Sequence, residues 1–140
     1  MSQKKINVLI AGATGYVGLD LVYYLSKHPK VKISYLCAQK NLGKNISYFD
    51  KRIVKKLPKI SSINKINFSQ LDLIFLSLPN GEAQKFIKNI YYKYKNIKFI
   101  DLSADFRISK IKTYLKNYNI KHKAPKLIND SVYLISKLNK

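Results

Sequence analysis

The stretch Gly12-Ala13-Thr14-Gly15-Tyr16-Val17-Gly18 decides how this chain is read. Before it lies an apolar run, Lys5-Ile6-Asn7-Val8-Leu9-Ile10-Ala11, with the character of a buried strand. After it, residues 16–28 place Val17, Leu21 and Leu25 on one helical face. Three glycines at G-x-x-G-x-x-G spacing, between a strand and a helix, answer three separate demands. The first permits a tight turn, the second lets backbone amides approach a ligand with no Cβ in the way, and the third lets the helix lie close to the sheet. A plain turn needs only one such residue. The free N–H groups and positive dipole end of the helix suit a diphosphate. Thr14 adds a hydroxyl donor.

Outward from this turn, Pro29 stops the helix and residues 31–37 alternate as a second strand, completing one βαβ unit. Residues 38–70 are rich in Lys, Asn and Ser; loops, a short helix near 45–52 and one weak strand are expected there. Asp72-Leu73-Ile74-Phe75-Leu76-Ser77-Leu78 is the clearest buried strand, followed by a turn at Pro79-Asn80-Gly81 and a helix over 82–95. Residues 97–102 read as a strand and 109–118 as a helix, while 120–140 carry no decisive pattern. Strands alternating with helices imply a parallel sheet with right-handed crossovers. The expected fold is therefore α/β, a Rossmann-type doubly wound parallel sheet, with residues 1–140 as one dinucleotide-binding domain.

The second strand bears on the choice of dinucleotide. A site for NAD usually carries Asp or Glu about twenty residues beyond the glycines, to bond the ribose 2′-hydroxyl. Here Cys37-Ala38-Gln39-Lys40 offers no acid, and Lys40 can pair with a 2′-phosphate. NADP is favoured over NAD. Cys37 reads as a small strand-end residue, with no partner base beside it. Asp101, Ser103, Asp105 and Arg107 recur at i, i+2, which on a strand puts all four on one face as a site cluster. The other reading is an ordinary loop salt bridge between Asp105 and Arg107.

The formal charge of +20 raises the question of a polyanionic partner. All but Arg52 and Arg107 of the 27 basic residues are lysines, spread along the chain without a dense block. Readers of bases and phosphates lean on the guanidinium fork, so no specific nucleic-acid partner is expected. Abundant Lys, Ile and Asn, which share A/T-rich codons, point to genome composition. No apolar run approaches the roughly 18 residues that span a bilayer, and no signal-peptide pattern opens the chain. With a single cysteine, a cytoplasmic location is expected and no membrane association. Tyr-x-x-x-Lys, the catalytic pair of short-chain dehydrogenases, occurs at Tyr23/Lys27, Tyr91/Lys95, Tyr94/Lys98 and Tyr133/Lys137, about twice what chance gives in so Lys- and Tyr-rich a chain. Tyr91-Tyr92-Lys93-Tyr94 reads as a helix end with snorkelling lysine rather than a base-stacking patch.

Together with the glycine turn, Leu76-Ser77-Leu78-Pro79-Asn80-Gly81, Ile100-Asp101-Leu102-Ser103-Ala104-Asp105-Phe106-Arg107, His122-Lys123-Ala124-Pro125 and Ser131-Val132-Tyr133 resemble the N-terminal half of the N-acetyl-γ-glutamyl-phosphate reductase family. The glycine turn alone would not separate that family from aspartate-semialdehyde dehydrogenases. The resemblance implies NADPH-dependent reduction of N-acetyl-glutamyl 5-phosphate to the semialdehyde, in arginine biosynthesis. A Cys forms a thioester that hydride reduces. It implies that Gly12, Thr14, Gly15, Tyr16, Val17 and Gly18 hold the pyrophosphate. Ala38, Gln39 and Lys40 would lie near the adenosine ribose, Pro79 and Gly81 would line the cofactor cleft, Ser103 would contact the cofactor at the carboxyl end of the next strand, and Arg107 would lie near the substrate. The family's nucleophile lies in an Asn-Pro-Gly-Cys motif that does not occur in this sequence, and neither His28 nor His122 matches the catalytic His. The family's Tyr-Gly-Leu-x-Glu appears as Tyr133-Leu134-Ile135-Ser136-Lys137. The expectation is a cofactor half with no catalytic residue, inactive alone. It would bind NADP(H), with a separately encoded catalytic half as partner or self-association into a homo-oligomer. A standalone non-enzymatic NADP-binding module, and an aspartate-semialdehyde-dehydrogenase-like or short-chain-dehydrogenase-like reductase, are the alternatives.

Overall fold

Strands that are apolar on both faces must be covered on both, which a parallel sheet achieves by sending its crossover helices to opposite sides. The computed structural model, which describes residues 4–134, has this form. Five parallel strands, β1 (Ile6–Ala11), β2 (Val31–Cys37), β3 (Ile60–Ser61), β4 (Leu73–Leu76) and β5 (Lys98–Asp101), lie in the order β3-β2-β1-β4-β5. The order reverses beside β1, whose neighbours are β2 and β4. Helix α1 (Tyr16–Lys27) links β1 to β2, α2 (Glu82–Ile90) links β4 to β5, and α3 (Ile111–Tyr118) follows β5. The doubly wound fold expected from the sequence is present.

Two apolar layers sandwich the sheet. Val8, Ile10, Val22, Ile33, Leu36, Ile53 and Ile60 form one with α1, and Leu9, Ile74, Leu76, Ala83, Ile87 and Ile97 form the other with α2. Val8, Leu9, Ile10, Ile74 and Leu76 are wholly inaccessible. At about 1.5–3 kcal/mol for each fully buried aliphatic side chain, this central strand pair is a main source of stability.

Several local expectations shift. The face of α1 that meets the sheet is Gly18, Val22 and Ser26, while Val17 is 52% exposed and Leu21 and Leu25 flank. The smallest residues sit innermost because there the helix lies closest to the β1–α1 turn. A Cβ on Gly18 would stand 2.1 Å from the Gly12 carbonyl oxygen. The helix expected near 45–52 is a single 3₁₀ turn at Ile46–Tyr48, and the weak strand is β3, two residues long. Helix α2 ends at Ile90 rather than 95. Tyr91 and Tyr94 turn inward there, against Phe99 and Phe68. The undecided segment from 120 forms a 3₁₀ turn at Pro125–Ile128, and residues 135–140 lie outside the described part. Among the described residues no helix is long and apolar enough to cross a membrane.

The tightest point is the β1–α1 turn. Gly12 has φ +80°, and a Cβ on it would fall 1.9 Å from the carbonyl oxygen of Ser77, just past β4. Gly43 shares the same φ with nothing within 4 Å of its Cβ position. Gly43→Ala should therefore cost about 1 kcal/mol, the conformational penalty alone. Gly12→Ala should cost about 3 kcal/mol or more, because strand ends must move apart as well. Urea denaturation of the two variants compares them directly. Equal losses would show that the contact with Ser77 is not the constraint.

Candidate functional site

Open α/β sheets bind ligands beyond the carboxyl ends of their strands, where the strand order reverses. A cleft of about 1170 Å³ opens there. Its floor is Ala11, Gly12, Thr14 and Gly15 from the β1–α1 turn. One wall carries Cys37, Ala38, Gln39, Lys40, Asn41 and Leu42 after β2, continuing to Ser62, Ile63 and Phe68. The other carries Ser77, Leu78 and Pro79 after β4, then Glu82, Lys85, Phe86 and Tyr94. A second hollow of about 630 Å³ lies at the opposite edge of the sheet, around Asn7 and Asp72. Asp72 already accepts from the Asn7 amide at 2.8 Å, and that edge offers no helix N-terminus from α1 or α2.

The turn is held by its own backbone. The amides of Gly12 and Ala13 donate to the Cys37 carbonyl at 2.9 and 3.0 Å, and the Gly15 amide donates to Gly12 at 3.1 Å. The next intrahelical bond runs from Leu19 to Gly15. No side chain caps α1. Among the described residues the amides of Thr14, Tyr16, Val17 and Gly18 therefore have no protein acceptor. These are the orphan donors of a helix start, and they carry the positive end of its dipole.

Of the residues expected at the site, Gly12, Thr14, Gly15, Ala38, Gln39, Lys40 and Pro79 line the cleft. Tyr16 and Val17 are exposed on the first turn of α1, and Gly18 is buried beneath it. Gly81 is buried at the start of α2, at φ +83°. Ser103 is tied to Asp101, its amide and hydroxyl each donating to that carboxylate at 2.9 Å. Burial raises the Asp101 pKa against those two bonds. Arg107 donates to the Tyr118 hydroxyl at 2.8 Å, away from the cleft lining.

The four-residue face expected at 101–107 does not exist, since β5 ends at Asp101 and the chain turns. The alternative, an Asp105–Arg107 salt bridge, is absent too. Asp105 is wholly buried. It accepts from the Gly81 amide at 2.8 and 2.9 Å, the Gln84 amide at 3.2 Å and the Tyr114 hydroxyl at 2.9 Å. Gln84 donates to the Tyr114 hydroxyl at 2.6 Å and accepts from the Lys123 amide at 2.6 Å. The Ala124 amide donates to Nδ1 of His122, so Nε2 is the ring donor, bonded to the Asp105 carbonyl at 2.9 Å. Sequence reasoning missed this network. Its one local signal was Gln84 on the apolar face of a helix that also carries Ala83, Ile87 and Ile90.

The cleft's titratable groups are quiet. Burial pushes the Cys37 thiol up to about 11, partly offset by Ser61, so it is no thiolate near neutrality. Lys85 pairs with Glu82 at 2.5 Å, while Lys40 has no carboxylate partner among the described residues. Tyr23 and Lys27 are bonded at 2.6 Å on the outside of α1, and neither they nor Tyr91 and Lys95 line the cleft.

Residues 7–140 match the family described as semialdehyde dehydrogenase, NAD binding domain. The chain belongs to that family. This semialdehyde dehydrogenase NAD-binding domain is 43% identical over 136 residues to an N-acetyl-gamma-glutamyl-phosphate reductase of Ehrlichia ruminantium (strain Gardel), covering 96% of the chain and 38% of the relative. It is 34% identical over 133 residues to a probable chloroplastic N-acetyl-gamma-glutamyl-phosphate reductase of Oryza sativa subsp. japonica, covering 94% and 31%. The domain thus spans about a third of the length of these relatives, at their N-terminal side. In solved structures it resembles aspartate semialdehyde dehydrogenase with NADP from Candida albicans, with TM-score 0.59 and 22% identity over 77% of this chain and 32% of that one. The Vibrio cholerae aspartate semialdehyde dehydrogenase II gives TM-score 0.59, 23% identity, 75% and 30%. At that identity the likeness concerns the fold.

The buried network yields a pH test. Burial first, then the bond to Asp105, raises Tyr114 from 10.0 to about 12. Its neutral hydroxyl therefore stabilises the fold fully below pH 10, and that contribution is lost as pH rises towards 12. Tyr114→Phe should lose about 1–3 kcal/mol at neutral pH. Denaturation across pH 8–12 should show the gap from wild type closing above pH 10. A gap independent of pH would mean that the hydroxyl is not bonded as described.

Proposed function

We propose that the cleft binds NADP(H), with the diphosphate on the open amides of α1 and the 2′-phosphate beside Lys40. The domain would be the cofactor half of an oxidoreductase of the N-acetyl-γ-glutamyl-phosphate reductase type, acting on an acyl phosphate. NADP(H) supplies the hydride when bound. The chain's own part is to grip and orient the dinucleotide. Catalytic groups would come from a further half, in the same polypeptide or separately encoded, since the cleft's only thiol is held protonated. Cytoplasm is the compartment this reading favours.

Gly15 carries the proposal. Gly12 needs its positive φ and close approach, and Gly18 needs the close approach. Gly15 needs neither: its φ of −76° and ψ of 165° suit any residue, and a Cβ there would meet only one atom, at 3.4 Å. Packing leaves it free to carry a side chain, and a ligand on the adjacent amides does not. The absence of an acid after β2 supports a phosphate on the ribose.

Gly15→Ala should fold within about 0.5 kcal/mol of wild type, as surface changes do. It should nonetheless bind NADPH about tenfold or more weakly, since its methyl stands where the phosphate approaches. Wild-type protein should bind NADPH about tenfold more tightly than NADH, and Lys40→Glu should reverse or abolish that preference. Fluorescence titration reads all five affinities. Tighter NADH binding by the parent would overturn the cofactor assignment, and undiminished NADPH binding by Gly15→Ala would overturn the site.

A further inference from the structure

Two helices, α1 and α2, start at the mouth of this cleft, and their N-termini are treated oppositely. The amides at α1 are open. At α2 two amides are filled from within: Gly81 and Gln84 donate to the Asp105 carboxylate, 24 and 21 residues further along the chain, while Glu82 donates to the Pro79 carbonyl. An anion at a helix start is favoured whether it arrives as a ligand or as a side chain. Asp105 is 0% exposed and its oxygens are fully engaged, with Tyr114 completing the set. The turn it holds, Pro79 to Gly81, passes from the cleft wall into α2 with Gly81 in the left-handed region.

We infer that Asp105 is a positioning residue for the dinucleotide: it occupies the α2 N-terminus as a built-in anion and thereby fixes the Pro79–Gly81 wall against which the nicotinamide half lies. The inference rests on the NADP(H) reading and deepens it. With α2 filled, α1 alone of the two receives the diphosphate, so the cofactor has one register in the cleft. The adenosine half, at α1 and the end of β2, touches nothing that Asp105 holds. The nicotinamide half, beyond the diphosphate towards β4, depends on it.

The test uses NADPH and adenosine 2′,5′-bisphosphate, a fragment with the 2′- and 5′-phosphates but no nicotinamide, on wild type and Asp105→Asn. Asn is nearly isosteric, yet its NH₂ can accept from neither Gly81 nor Gln84. NADPH should bind about tenfold more weakly to the variant, the loss of one charge-assisted bond, while the fragment stays within about twofold. Equal weakening of both ligands would mark general loosening and overturn the inference, as would unchanged NADPH affinity. If wild type binds the fragment but not NADPH, or neither, the dinucleotide reading fails first and the inference with it. Should Asp105→Asn not fold, Tyr114→Phe, which removes one of the three donors that hold the carboxylate, should show the same selective loss at about threefold. Its absence there overturns the inference equally.

Discussion

The β1–α1 turn passes so close to the end of β4 that positions 12 and 18 have no room for a side chain. A Cβ at position 12 would meet the Ser77 carbonyl and one at position 18 the Gly12 carbonyl. Much else follows from that crowding. The Gly12 and Ala13 amides reach Cys37 at the end of β2, and the Ser77 amide reaches Ala11, so three strand ends are laced together at one point. Helix α1 begins directly above this junction, with Gly18 against it and its first-turn amides aimed past Gly15 into the open. A cleft at the carboxyl edge is the geometric consequence, because β1 and its neighbour β4 feed helices, α1 and α2, that pack on opposite faces of the sheet.

Asp105 solves for α2 the problem that is left unsolved for α1. A helix start buried without acceptors is costly, and α2 begins at a buried glycine. The carboxylate satisfies two of its amides. Tyr114 donates to the carboxylate and accepts from Gln84, His122 donates to the Asp105 main-chain carbonyl, and no buried side-chain polar atom among the described residues lacks a partner. Such a network is specific because each member is wrong without the others. It joins α2, the loop after β5, α3 and the segment before Pro125, none of which shares a strand register with the rest.

This contrast explains what could be read in the sequence. The strands β1, β2 and β4, the glycine turn and the cleft residues after β2 were legible because each is a local pattern: an apolar run, a spacing, a missing acid. The Asp105 network was not. Its members stand at 84, 105, 114 and 122, and each taken alone has a blander meaning. The pattern Asp101, Ser103, Asp105, Arg107 looked like one strand face, but Ser103 bonds back to Asp101 and turns the chain there. Alternation of residue types cannot distinguish a strand from a string of side-chain-supported turns. The same limit applies to α1, where a periodic count chose Val17, Leu21 and Leu25. The helix instead rolled its small residues inward to meet the crowded turn.

Under the proposed function the cleft holds a ligand and leaves its transformation to groups from elsewhere in a protein. Catalysis by a side chain needs a group poised to give or take a proton or an electron pair near neutral pH. Cys37 is buried and stays protonated, and Lys85 is committed to Glu82. Tyr114 is sealed inside the network. What the cleft does present is fixed: unpaired amides, an exposed glycine, and Lys40 without a partner. Those features cost little to reorganise when an anion arrives. A positive field from the whole chain, +20 in formal charge, draws phosphorylated ligands towards them. A domain arranged in this way separates grip from chemistry, so that reacting groups brought from another part of a protein can meet a cofactor whose position is already set.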